Sequence, residues 1–229
     1  MGITVKKAVL VFFLLILGFY LAGILMMNVR MQLVLKPILI PALIVYYLSA
    51  TRHSTSPLQK WILAALFFSW VGDVLLMFQD YDGIFFLLGL SAFLIAHIFY
   101  ILFFHRIRTD HRINGKLLLL LAVALYYFAL MAWLSPHLGE MKLPVWGYGF
   151  FISLMLLLAL HTGGAASVRG GKMMLAGAVL FVVSDSLLAI NKFHGAFPYA
   201  HFLVIITYGF AQLLLVTGAA NYSQQPNTR

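Results

Sequence analysis

The chain has 229 residues, 63% of them hydrophobic and only 9% charged, with 15 Lys and Arg against 6 Asp and Glu, a net charge of +9. An average soluble domain is about 45–50% apolar and about 25% charged. So few charges cannot clothe a soluble globule of this length, which excludes a soluble enzyme, a disordered chain and, with no cysteine present, a disulfide scaffold.

A spanning helix needs about 20 residues, and eight apolar runs can be placed in order. The first, 8–27, follows Lys6 and Lys7. It is too long for the apolar core of a signal peptide, so we read it as an uncleaved span. The second, 31–49, carries Lys36 with Pro37 and Pro41 behind it. The prolines lack backbone donors, so they are expected to kink the helix and free carbonyls near Lys36. The third, 61–78, holds Ser69 and, one turn later on the same face, Asp73. The fourth, 84–104, places His97 and Tyr100 on one face at i, i+3. The fifth, 117–134, offers no site candidate. The sixth, 145–161, contains Tyr148, and the seventh, 173–190, contains Ser184 and Asp185. The eighth, 199–220, aligns Tyr208 and Gln212 at i, i+4. The loops are too short for an independent fold, so 1–229 is expected to be one all-α membrane domain of eight transmembrane helices.

The basic residues lie at span ends, where they act as topology signals rather than as a groove for nucleic acid. One side collects Lys6, Lys7, Arg52, Lys60, Arg106, Arg108, Arg112, Lys116, Arg169, Lys172 and Arg229; the other has Arg30, Lys142 and Lys192. This bias predicts that both termini are cytoplasmic.

A shift of 112 residues overlays the halves, 1–112 and 113–229. Nine of 26 positions match between 60–85 and 172–197, among them Lys60/Lys172, Asp73/Asp185, Leu75/Leu187, Leu76/Leu188 and Gly83/Gly195. An offset of four spans preserves orientation, so the pattern predicts two parallel four-helix repeats. At the same offset Lys36 aligns with Tyr148 and Tyr100 with Gln212.

Three charged residues fall well inside the runs: Lys36, Asp73 and Asp185. Each costs about 2.5–3.5 kcal/mol at a helix centre on insertion scales, which marks it as a functional candidate. An ion pair of Lys36 with one aspartate would leave the second carboxylate unexplained. The two aspartates sit about five residues before the outer ends of their spans, and Lys36 is about as deep, at 1.5 Å per residue. Two carboxylates facing each other in a low-dielectric site cannot both ionise easily, so the pair is expected to hold a proton. One proton donor and one base is the division of labour of acid–base hydrolysis. Ser69, His97, Tyr100, Tyr148, Ser184, Tyr208 and Gln212 are the polar groups that could line such a site. No zinc-binding HExxH and no GxSxG elbow occurs.

Five motifs carry a resemblance. Lys36-Pro37, Ser69-x-x-Gly72-Asp73, His97-x-x-Tyr100, Gly177-x-x-x-Phe181-x-x-Ser184-Asp185 and Tyr208-x-x-x-Gln212 together resemble the YhhN-like family, in order and spacing, over most of the chain. The resemblance implies a lysoplasmalogenase: an integral, multi-pass protein of a bacterial plasma membrane that hydrolyses the vinyl ether bond of a lysoplasmalogen. The products would be a fatty aldehyde and glycerophosphoethanolamine or glycerophosphocholine. The expected partners are a lysophospholipid and the bilayer, and the chemistry needs no metal or organic cofactor. In this assignment Asp73 and Asp185 are the acid–base pair, in unassigned order. Lys36 tunes their charge or binds the polar part of the substrate, and the remaining polar groups orient water and the glycerol hydroxyl. A proton- or cation-coupled transporter using the two aspartates is the principal rival, and a non-catalytic lipid-binding protein the third class.

Overall fold

A computed structural model describes residues 2–224, with side chains from Lys6 onward; Arg229, counted above for orientation, lies outside the described residues. The chain forms α1 (Gly2–Leu25), α2 (Val29–Ala50), α3 (Gln59–Leu76), α4 (Gly83–Asp110), α5 (Leu117–Leu134), α6 (Lys142–Gly163), α7 (Gly171–Ala189) and α8 (Ala200–Ser223). Two short 3₁₀ turns link α5 to α6, and a π-helical turn, Ile190–His194, extends α7. Among the described residues, eight helices are long and apolar enough to cross a membrane.

Hydropathy placed these helices well in their apolar parts and less well at their ends. α4 continues to Asp110, so His105, Arg106 and Arg108 are helical rather than in a loop. Arg106 pairs there with Asp110 at 3.2 Å, one turn on. Helix entry is set by local chemistry. Asn28 accepts from the Met31 N–H at 3.1 Å, and Asp82 from the Ile84 N–H at 2.9 Å, each capping a helix start.

α7 packs most extensively against α8, and α3 against α4. Glycine makes both approaches possible. A Cβ on Gly177 would stand 2.7 Å from the Leu215 nitrogen of α8, and one on Gly72 would stand 2.6 Å from the Phe93 ring of α4. Close packing through small residues substitutes for the hydrophobic drive that lipid removes. α5 sits outside this core against α6, with Leu118 and Leu125 77% and 73% exposed. In a protein with so apolar a surface, such a face belongs to lipid.

α2 continues as one helix through Pro37 and Pro41. Pro41 cannot donate to the Pro37 carbonyl one turn earlier, and that carbonyl instead accepts from the Trp70 Nε1–H of α3 at 2.9 Å. The freed acceptor thus docks α2 on α3 next to Lys36. Trp70→Phe removes this donor and is expected to cost about 1 kcal/mol, read as a lower thermal unfolding midpoint in detergent.

Candidate active site

At one end of the bundle a cavity opens where α3 and α7 finish and α2, α4, α6 and α8 begin. Lys36, Asp73, Tyr148, Ser184, Asp185 and Tyr208 all line it. It has about 100 Å³ of room for water centres, enough for several waters at about 10–15 Å³ each. Helices α1 and α5 contribute no lining residue. Phe86, Leu90, Phe93, Val145 and Leu188 form the apolar part of its wall.

Asp73 lies three residues before the end of α3 and is 4% exposed. Its Oδ2 accepts from the Tyr208 hydroxyl of α8 at 2.7 Å. Tyr208 in turn accepts from Gln212 Nε2 at 3.4 Å, and Gln212 Oε1 accepts from the Tyr100 hydroxyl at 2.7 Å. Donors therefore point one way along the line, from Tyr100 on α4 through α8 to Asp73 on α3. Gln212 and Tyr100 are fully buried, so each needs the other as partner. Gln212→Leu would leave the Tyr100 hydroxyl buried without an acceptor, a loss of about 1–3 kcal/mol detectable by thermal unfolding; Tyr100→Phe should restore part of it.

Asp185 lies four residues before the end of α7 and accepts from the Tyr148 hydroxyl of α6. Lys36 stands within electrostatic reach of Asp73 without a direct ion pair. The trio singled out as charges within apolar runs thus shares one cavity.

The other sequence candidates divide into two groups. Ser184 lines the cavity, but its hydroxyl donates to the Val204 carbonyl at 2.9 Å and serves the α7–α8 contact. Tyr100 and Gln212 lie behind the lining and act on it through Tyr208. Ser69 and His97 are fully buried outside the lining, and neither the Ser69 hydroxyl nor either His97 nitrogen makes a hydrogen bond of ordinary geometry. The His97 ring packs edge-on against Tyr148 and Phe181, with centroids 5.2 and 4.8 Å away.

Several lining residues were not legible as such, among them the polar Gln79 just beyond the end of α3. His201, which its place near a span end marks as a solvated histidine, lines the cavity and meets the Tyr20 hydroxyl at 3.5 Å. Phe93 and Phe193 lack any polar signal; only their spacing from the charged positions could have suggested them. Among the described residues no group of three or more His, Cys, Asp or Glu is placed to hold a metal.

The sequence profile of the YhhN family matches residues 31–219. The chain belongs to the YhhN family. The matched region of this YhhN-family chain runs from α2 into α8 and contains every lining residue of the cavity. Curated relatives include lysoplasmalogenase TMEM86B of Mus musculus, 37% identical over 161 residues, covering 69% of this chain and 63% of the relative. Lysoplasmalogenase TMEM86B of Homo sapiens is 33% identical over 183 residues, covering 80% and 72%. A lysoplasmalogenase of Mycobacterium bovis is 30% identical over 148 residues, covering 63% and 54%. The chain therefore spans just under two thirds of the mouse relative it matches. No solved structure matches it.

Proposed function

We propose that this YhhN-family protein is a membrane-embedded hydrolase that cleaves the vinyl ether bond of lysoplasmalogens by carboxylate acid–base catalysis. The observation that carries the proposal is that Asp73 and Asp185, from two helices, line one cavity together with Lys36 and a set of apolar side chains. The names of the relatives point to the same substrate.

The chemistry asks for what the cavity offers. Protonating the β-carbon of R–CH=CH–O–R′ forms a C–H bond and leaves an oxocarbenium ion. Water adds to the cationic carbon and loses a proton to a base. The resulting hemiacetal collapses to the aldehyde R–CH₂–CHO and the alcohol HO–R′. A proton donor, an anion to stabilise the cation and a base for water are required. Paired carboxylates perform these roles around the similar transition state of glycoside hydrolysis. Asp73 and Asp185 supply the donor, anion and base. Lys36 holds charge balance, and Tyr148 and Tyr208 orient the carboxyl groups. The apolar wall takes the first carbons of the alkenyl chain, and the glycerol and headgroup stay toward the open end.

In this reading the cavity end of the bundle faces away from the cytoplasm and both termini lie in it, following the basic bias. The two halves are parallel repeats; the equivalent helices α2–α4 and α6–α8 both line the cavity while α1 and α5 do not.

A panel on detergent-purified protein tests the proposal. Vinyl ether lysolipids are expected to release aldehyde, while alkyl ether and acyl lysolipids of the same chain length stay intact. An alkyl ether cannot be protonated to an oxocarbenium ion, so its cleavage, or acyl hydrolysis alone, would refute the mechanism.

A further inference from the structure

Asp73 and Asp185 share a cavity but not a setting. Asp73 has the Tyr208 hydroxyl as donor and the Lys36 ammonium within reach. Tyr20 of α1, behind the lining, lies within electrostatic reach of Asp73, and His201 of α8 within reach of Lys36. Asp185 has the Tyr148 hydroxyl, and Tyr126 of α5, whose hydroxyl bonds to Ser186 at 2.6 Å, lies within electrostatic reach. Among the described residues Lys36 is the one Lys or Arg in the lining; Lys192 lies behind it, over the ring of the lining residue Phe86 at 4.9 Å.

The 112-residue offset makes this asymmetry specific. It carries Asp73 onto Asp185, Lys36 onto Tyr148 and Tyr208 onto Ala96. Two equivalent carboxyl positions therefore differ by a cation present at one and replaced by a neutral phenol at the other. The phenol line from Tyr100 and Gln212 also ends on Asp73 alone. Two carboxylates in one low-dielectric cavity cannot both carry charge cheaply. A single negative charge is more stable beside the cation than away from it.

We infer that Asp73 is the resident carboxylate and Asp185 the resident carboxylic acid, and hence that Asp185 delivers the proton to the β-carbon while Asp73 stabilises the oxocarbenium ion and receives the proton of the attacking water. The catalytic half of this statement rests on the vinyl ether hydrolysis proposed above. In the collapse of the hemiacetal, Asp73 returns its proton to the departing glycerol oxygen and Asp185 takes the hydroxyl proton. Both groups then regain their starting states, and the sum is addition of one water. Tyr100 and Gln212 are positioning residues in this scheme, since they aim the Tyr208 proton at Asp73.

Infrared spectroscopy of the purified protein at neutral pH reads the charge states without turnover. A neutral-carboxyl C=O band that shifts down in D₂O is expected in the wild type, lost in Asp185→Asn and kept in Asp73→Asn. Tyr148→Phe should move the band and Tyr208→Phe should leave it, which keeps the test decisive if an Asn variant fails to fold. A band that belongs to Asp73, or no band in the wild type, overturns the assignment. Azide then separates the roles during turnover. In Asp73→Ala it should restore lipid consumption by adding to the oxocarbenium ion, with an azido ether as product. In Asp185→Ala, which lacks the proton donor, it should do nothing; the reverse pattern, or no rescue of either, overturns the roles. A wild type that consumes no vinyl ether lipid sinks the proposed reaction, and the infrared result still decides the charge states.

Discussion

Asp73→Asn and Asp185→Asn are each expected to reduce aldehyde release from a vinyl ether lysolipid by at least about 100-fold, the usual contribution of one acid or base. Asparagine keeps the shape of the side chain and can still accept from Tyr208 or Tyr148, so the helices should stay packed. What it cannot do is give up or take a proton at the reacting atoms. The loss should appear in kcat, with KM nearly unchanged, since neither carboxyl is needed to hold the lipid chain against Phe86, Leu90 and Phe93. Aldehyde trapping on purified protein, with thermal unfolding as the check on folding, measures both. Near-normal activity in either folded variant would remove the pair from the chemistry.

The second large effect is mechanical. Gly177→Ala adds one methyl group where a Cβ meets the Leu215 nitrogen at 2.7 Å and the Ala211 carbonyl oxygen at 2.8 Å. Both are helix backbone and cannot rotate away, so α7 and α8 must separate. The expected loss is about 1–3 kcal/mol. Activity should fall as well, because Asp185 rides on α7 and Tyr208 on α8. Gly147→Ala in α6 is the control, since nothing lies within 4 Å of a Cβ there. It should be neutral or stabilising by up to about 1 kcal/mol, as Ala is the better helix former. Thermal unfolding of the two variants side by side checks the contrast; equal midpoints would show that α7 and α8 do not need their close approach.

The sequence carried the spans and the charged trio because both depend on the same physics. A charge in an apolar run is rare enough to be visible, so Lys36, Asp73 and Asp185 stood out without any structure. Tyr148 was visible only through its alignment with Lys36, and it proved to be the donor to Asp185. Helix ends were less legible. Hydropathy stops where charge begins, but the helix does not, so α4 ran past Arg106 and Arg108. His201 escaped notice because a histidine near a span end usually meets water. Ser69 and His97 share helical faces with Asp73 and Tyr100, yet they sit outside the cavity lining. Periodicity gives a face and not a depth behind the lining.

The hydrogen-bond line from Tyr100 to Asp73 has a consequence for proton movement. A hydroxyl can receive a proton on one lone pair and release another, so tyrosines in series can conduct. An amide has separate donor and acceptor ends, and Gln212 occupies the middle of the line, with Oε1 toward Tyr100 and Nε2 toward Tyr208. Passing a proton through it would require the amide to turn over inside fully buried packing. Gln212 is thus an insulator set in a row of conductors. Along this line a proton on Asp73 therefore has no ready relay toward the depth of the bundle. Such a circuit suits the local proton turnover proposed above.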